Sequence, residues 1–548
     1  MTYSPRFLAT GALAFWLAAH SAALAEVKMP AIFGDHMVLQ QDLPIPVWGT
    51  ADPGEAVTVT VGANTAKATA GADGKWQAKL DPPAPSAQAV TMTVSGKNTL
   101  SFKDVLIGEV WVCSGQSNME FPLSGSHNAQ TVVPEATDPQ LRLFHVKNTT
   151  AHTPASDVVG KWEICAPDPA SKFTAVGYFF GKELRDKLKR PVGLIESNWG
   201  GTPAEAWTPL EGFKKDAVLA HYIDRWKQLD AAFEKALADY PALKAANDKA
   251  VEAWNEKYGA QWNASNREWG AARDKAIVAK QSPPPRPTPP APMPPRLEDP
   301  NGGPSSPSTL YDGMVAPLEP YAIRGAIWYQ GESNAGKAEE YRTLFPRMIK
   351  EWRETWGEGD FPFLWVQLAG FQPSDTPDAW PNLRDAQAQT LSLPATGMAT
   401  AIDIGLPDNI HPMDKLDVGK RLALAAMHVA YGKDLVYSGP MFKAVEKEGN
   451  ALRVEYEDTG SGLKIGKAPW IGPHASMLPE DKLVGFEVAG ADGQWKPADA
   501  KIDGQSVVVS SADVPSPVEV RYDWKAYPEG NLYNKEDLPA TPFHAKAG

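Results

Sequence analysis

Four short polar blocks hold residues able to carry out acyl transfer. The first, Gly115-Gln116-Ser117-Asn118-Met119, directly follows the apolar run ending Trp111-Val112-Cys113. A serine on a tight strand-to-helix turn is held exposed at a sheet's edge, and the N–H groups after it point at whatever binds there. The second, Asp408-Asn409-Ile410-His411-Pro412, contains histidine, whose unperturbed pKa lies close to neutrality. Asp408, three residues before His411, can fold back to accept from the other ring nitrogen, fixing the tautomer and stabilising the imidazolium. The expectation is Ser117 as nucleophile, His411 as general base and Asp408 as the acid that orients it.

The third block is Ser197-Asn198-Trp199-Gly200-Gly201-Thr202-Pro203. Paired glycines let backbone approach a ligand closely, so an N–H of Gly200 or Gly201 is a candidate donor to the oxyanion of a tetrahedral intermediate. The fourth is Gln330-Gly331-Glu332-Ser333-Asn334. Gln330 or Asn334 offers a side-chain amide as a further oxyanion donor, while Glu332 is placed to orient the nucleophile loop or to touch substrate. Gln116 and Asn118, which flank the serine, belong with Glu332 as supporting residues. Each block also has a plainer reading. The first is equally a capped Asn-Ser turn, the second a helix-capping loop, the third a glycine turn and the fourth the cap of the next helix.

These blocks must be positioned by a scaffold, and the apolar pattern supplies one. The runs Val105 to Val112, Val192 to Ile195, Ala326 to Tyr329, Phe363 to Leu368 and Met398 to Ile404 each end in a polar, glycine-rich turn. Val176, Phe180, Leu184 and Leu188 mark one intervening helix, and Tyr341, Leu344, Met348 and Trp352 another. A further helix follows from Val418 to Val429. Continuous apolar strands alternating with helices imply an α/β domain with a parallel sheet covered on both faces, whose ligand lies at the carboxyl ends of the strands. All four blocks fall at such ends.

On either side the pattern is antiparallel β. Val57 to Val61 and Val90 to Val94 alternate strictly within a first β-domain, residues 26–104, and Leu452 to Tyr456 and Val507 to Val509 do so in a last one, 439–548. The α/β domain, 105–438, carries an insertion at 213–307. Within it, Trp226, Leu229, Phe233 and Leu237, then Val251, Trp254, Tyr258 and Trp262, follow helical spacing. Pro241 separates the two stretches, so a helical hairpin is expected, followed by an extended proline-rich connector from Ser282 to Pro295. The insertion's tryptophans are read as packing in preference to a sugar-binding surface.

At 548 residues the chain exceeds what one core serves. Its net charge of −13 makes it a poor ligand for nucleic acid. No HExxH or other metal-ligand spacing occurs, so no metal is expected. The two cysteines, Cys113 and Cys165, are open to two readings, a single bridge or two buried thiols. Residues 1–25 read as a secretory signal: Arg6, an apolar run from Phe7, and Ala23-Leu24-Ala25 as cleavage site. The expectation is export to the periplasm or beyond, with no membrane span after signal removal.

Taken in order, the Gly115–Met119, Gly200-Gly201, Gln330–Asn334 and Asp408–His411 blocks resemble those of the SGNH-type carbohydrate esterases, specifically the sialate O-acetylesterase family. The likeness extends to Phe33-Gly34-Asp35-His36-Met37-Val38-Leu39-Gln40, Pro46-Val47-Trp48-Gly49 and Asn531-Leu532-Tyr533-Asn534. The resemblance implies a flavodoxin-like SGNH domain, no cofactor, and hydrolysis of acetyl esters on an acetylated carbohydrate. It gives Ser117, His411 and Asp408 the roles named above. The oxyanion donors it implies are the Ser117 N–H, a glycine N–H at Gly200 or Gly201, and an amide of the Gln330 block. The asparagine block of the wider superfamily is here replaced by Gln330-Gly331-Glu332, as in acetylxylan-esterase relatives. Trp207, Arg384 and Trp380 offer stacking and a charge for a carboxylate-bearing sugar, and each reads equally as packing or a salt bridge. The rival functions are an acetylxylan or other plant-polysaccharide esterase, and a non-catalytic carbohydrate-binding protein.

Overall fold

The Thr99–Gly115 strand joins two layers of the protein. Its first residues pair antiparallel with Ser86–Ser95 in the N-terminal β-layer, and its second half pairs in parallel with Val38–Gln40, Val192–Asn198 and Gly325–Tyr329. The boundary drawn at residue 104 therefore falls inside one strand. The change of layer is marked by Asp104 at φ 55°, a left-handed conformation that Asp tolerates better than most residues, and its carboxylate accepts from Arg142 Nη1 at 2.8 Å. The computed structural model describes residues 26–278, 284–295, 297, 299–372, 378–469 and 478–548. The signal segment expected at 1–25 lies outside them.

Across the central sheet the strands run Thr396–Ala399, Phe363–Val366, Gly325–Tyr329, Thr99–Gly115, Val192–Asn198 and Asp138–His145, all parallel, with Trp162–Cys165 antiparallel at the edge. Each of the five apolar runs supplies a strand, although of Met398 to Ile404 only Met398 and Ala399 lie in one, and Ile402–Ile404 form a short helical turn. The edge hairpin of Asp138–His145 and Trp162–Cys165 was not apparent in the pattern, because a long loop separates its two strands. Strand order reverses on either side of Thr99–Gly115, and such a reversal opens a crevice at the carboxyl ends.

Side chains alternate across this sheet, so each strand feeds two cores. Trp111 meets Phe180 of the Ala175–Leu188 helix, their ring centroids 5.1 Å apart, and that helix packs against Lys415–Val429. On the other face Trp328 meets Trp352 and Phe345 of the Ala338–Trp356 helix. Trp111, Trp328, Trp352 and Trp365 are fully buried, each worth roughly 4–6 kcal/mol of gross transfer free energy. That burial makes the sheet a stiff platform for the loops at its carboxyl edge. Cys113 and Cys165 are both free and buried, which decides between the two readings of the pair.

The C-terminal β-domain is built from two four-stranded antiparallel sheets. Leu452, Val454, Val507 and Val509 of one share a separate core with Val488, Val520 and Tyr522 of the other.

The insertion corrects an expectation. Ala220–Trp254 runs unbroken through Pro241 and continues through a π turn, Asn255–Gly259, into Ala260–Val278. Among the described residues the insertion holds no helical hairpin but one helix, roughly 90 Å long at 1.5 Å per residue. Pro241 removes one backbone donor, but alanines and ion-paired lysines on both sides, Lys235 with Asp239 and Lys244 with Asp248, favour continuing the helix. The return leg is the proline tract itself. Pro284 O, Ala291 O and Pro295 O accept from Trp269 Nε1, Trp254 Nε1 and Asn247 Nδ2, so the tract runs antiparallel along the helix. These tryptophans pack, as read from their spacing.

Candidate active site

Gly115 ends the central strand at φ 137°, and a Cβ there would lie 2.2 Å from Tyr329 O. Only glycine fits between the flanking strands, and the chain turns at once into the one-turn helix Ser117–Glu120. Ser117 stands at the first position of that helix, where no carbonyl four residues back lies inside the helix to take its N–H. Its hydroxyl Oγ lies 2.8 Å from His411 Nε2. His411 comes from the loop after Thr396–Ala399, and Asn409 Oδ1 accepts the His411 backbone N–H at 2.9 Å, fixing the imidazole's point of departure. Burial, and then the charge of Lys415, pushes the His411 pKa below its ordinary value. Asp408 lies exposed on the same loop.

The nucleophile turn is tied to its neighbours by the two residues flanking the serine. Gln116 Oε1 accepts from the Ser333 N–H at 3.2 Å and, at 3.4 Å, from Gly331 N–H. Asn118 Nδ2 donates to Glu332 Oε1 at 2.5 Å and to Ile410 O at 3.0 Å. Glu332 is thus hydrogen-bonded to the residue that follows Ser117. Burial raises its pKa, against the Asn118 hydrogen bond and the charge of Lys415.

Three oxyanion candidates are engaged elsewhere. Gln330 is fully buried; its Nε2 donates to Asn334 Oδ1 at 2.7 Å and its Oε1 accepts from Tyr341. Asn334 Oδ1 also accepts from the Ala204 N–H, and its Nδ2 donates to Glu205 at 2.8 Å. Both amides are consumed in a buried network that fastens the glycine turn to the neighbouring strand, because buried polar groups must find partners. The Gly200 N–H donates to Glu120 Oε2 at 2.7 Å. Gly200 is nonetheless next to Ser117: a Cβ there would lie 3.2 Å from Ser117 Cβ. Gly201, at φ 75°, is exposed and faces open space.

The expected sugar contacts are also corrected. Trp207 is fully buried, with Nε1 on Thr202 Oγ1 and its ring edge-on to Trp328. Trp380 is buried against Phe371. Arg384 is completely buried and donates to four carbonyls, those of Leu368, Ala369, Lys525 and Ala526, at 2.7–2.9 Å. It fastens the C-terminal domain to the α/β domain, and burial pushes its pKa down to about 9.

Two site residues escaped the sequence reading. Glu120 holds the Gly200 amide. Lys415, fully buried, donates from Nζ to Asn118 Oδ1 at 2.5 Å. A signal for Lys415 existed: it occupies the same helix face as the buried Val418, Gly419 and Leu422, where a lysine is out of place unless paired.

A hydroxyl and an imidazole in contact at the carboxyl edge of a mostly parallel sheet can carry out acyl transfer if the imidazole takes the hydroxyl proton. The model of the sialic acid-specific acetylesterase family of carbohydrate esterases matches residues 107–242 and 302–428, leaving out most of the insertion. Human sialate O-acetylesterase is 30% identical over 94% of this chain and 92% of its own, and the mouse enzyme is 29% identical over 95% and 94%. The crystal structure of a carbohydrate acetylesterase from Xanthomonas citri superposes with a TM-score of 0.75 at 35% identity, covering 95% of this chain and all of that one. The protein belongs to the sialic acid-specific acetylesterase family and is a carbohydrate esterase of that kind. Among the described residues no helix is long and apolar enough to cross a membrane.

Proposed function

We propose that this protein is an SGNH-type esterase, with a flavodoxin-like catalytic domain, that removes acetyl groups from a carbohydrate by a serine acyl-enzyme mechanism. The observation that carries this reading is the 2.8 Å approach of His411 Nε2 to Ser117 Oγ. Ser117 Oγ attacks the acetyl carbonyl carbon while its proton passes to His411 Nε2. The tetrahedral intermediate collapses by breaking the bond to the sugar oxygen, which takes the proton from His411. Water, deprotonated by His411, then attacks the acetyl-enzyme, acetate leaves, and Ser117 recovers its proton.

Asp408 is assigned the second imidazole nitrogen, stabilising the imidazolium between the two proton transfers. The Ser117 and Gly201 N–H groups are assigned to the oxyanion, and Glu120 must yield the Gly200 N–H if that group is to join them. The sugar specificity is proposed from the relatives, named for sialate and for carbohydrate acetyl esters. The N-terminal apolar run ending Ala23-Leu24-Ala25 supports export.

The test is hydrolysis of an aryl acetate by the protein and its Ser117→Ala variant, where equal release of acetate by both would overturn the reading. Rates on O-acetylated sialic acid and on acetylated xylo-oligosaccharides then separate a sialate esterase from a xylan esterase.

A further inference from the structure

Among the described residues, Lys415 is the one buried ammonium in contact with the Ser117 turn. It has no accessible surface, and it opens the helix that follows the His411 loop. A lysine in the first turn of a helix meets an unfavourable dipole, so local structure does not recommend it there. Its Nζ lies 2.5 Å from Asn118 Oδ1 and about 5 Å above the rings of Phe121 and Tyr329. Asn118 in turn donates to Glu332 and to the carbonyl of Ile410, the residue before His411. One amide therefore touches a cation, an anion and the base loop, and it belongs to the residue directly after Ser117.

We propose that Lys415 is a positioning residue: through Asn118 its ammonium locks the Ser117 turn to the His411 loop, and its charge disfavours a protonated His411 in the resting enzyme. The groups facing it are Glu332 and Tyr329 from the neighbouring strand and its turn, Asp414 beside it, and His411 four residues back. The charges of Glu332 and Asp414 oppose the burial that pushes the Lys415 pKa down to about 7. Facing His411, the same charge opposes imidazolium formation, the second influence on that histidine after burial. Two functions thus sit on one side chain, and they are separable. The hydrogen bond to Asn118 sets geometry, and the charge adds to burial in lowering the His411 pKa.

This inference rests on the Ser117–His411 reading, and the experiment keeps the two apart. The pH dependence of kcat and KM on an aryl acetate is measured for the protein and for Ser117→Ala, Lys415→Met, Lys415→Arg and Asn118→Ala, with melting curves for each. Lys415→Met is expected to lower kcat by ~10- to 100-fold with KM little changed, a loss typical of misplaced groups. Its acid limb should also move up by about one pH unit as His411 loses its cationic neighbour. Lys415→Arg keeps the charge, so its acid limb stays where it was while kcat falls. Asn118→Ala lowers kcat and leaves the limb in place. An unshifted acid limb in folded Lys415→Met overturns the proposal. If that variant does not fold, a kcat for Asn118→Ala within about twofold of the parent overturns it, since misplacement should cost far more. Full activity in Ser117→Ala would instead bring down the serine mechanism itself.

Discussion

His411 Nε2 and Ser117 Oγ lie 2.8 Å apart although 294 residues separate them in sequence. The strand edges of one sheet bring them together, and the contact leaves the imidazole partly buried. Burial and Lys415 lower its pKa from 6.5, so the neutral, base-competent form persists to lower pH than for a free histidine. The expected kcat/KM profile is a plateau at neutral pH with an acid limb below the ordinary histidine value. A limb at or above that value would contradict the environment described. Ser117→Ala should lose on the order of 10⁴-fold or more in kcat, the usual scale for removing a catalytic serine.

Gly200 gives a test that leaves the catalytic groups unaltered. A methyl on its Cα would lie 2.6 Å from Glu120 Oε2 and 3.2 Å from Ser117 Cβ. Gly200→Ala should push Glu120 off the Gly200 amide and crowd the nucleophile. Activity is expected to fall by ~10- to 100-fold with Tm changed little, because the site is half-open to solvent. Steady-state kinetics with a melting curve checks this. A large drop in Tm with normal kcat would place the strain in the fold instead.

That Ser117 and His411 meet was legible in the sequence because each stands in a short polar block after a long apolar run, and the strand-end rule puts such blocks on one edge. The identity of the oxyanion donors was not legible in the same way. Gln330 and Asn334 are the right residue types in the right loop, but composition does not say whether an amide faces the ligand or the interior. Here both face inward: Asn334 serves the backbone N–H of Ala204 and the carboxylate of Glu205, and Gln330 links Asn334 to Tyr341. Arg384 failed for a related reason: four carbonyls at a domain junction absorb its guanidinium as fully as a carboxylate would. The helical hairpin failed because Pro241 was taken as a stop, whereas helix formers on both sides outweigh one missing hydrogen bond.

Arg384 makes a stability prediction at the domain junction. Its donors reach Leu368 and Ala369 on one side and Lys525 and Ala526 on the other. Arg384→Ala leaves four buried carbonyls with fewer partners and opens a cavity, at a cost of about 3–5 kcal/mol. Arg384→Lys keeps a charge but cannot fork to four acceptors, so it should recover only part of the loss. Chemical denaturation should separate the three proteins in that order. A Tm for Arg384→Ala equal to the parent's would mean that the C-terminal domain is held by other contacts.

The long helix and its proline tract form a further testable pair. Trp269 Nε1 donates to Pro284 O at 2.9 Å, and the Arg286 guanidinium lies 5.6 Å from the indole ring centroid, so a single side chain holds the start of the return leg. Residues 284–295, the described part of the tract, have no sheet or helix hydrogen bonding of their own, and a polyproline segment has no internal hydrogen bonds to hold it in place. Trp269→Ala should release residues 284–295 from the helix. Limited proteolysis is expected to cut the tract several-fold faster, with kcat on an aryl acetate within about twofold of the parent, because local opening here does not reach the sheet edge that carries Ser117. Unchanged cleavage would mean that Trp254 and Asn247 hold the tract without Trp269, and a fall in kcat would show that the insertion reaches the catalytic edge after all.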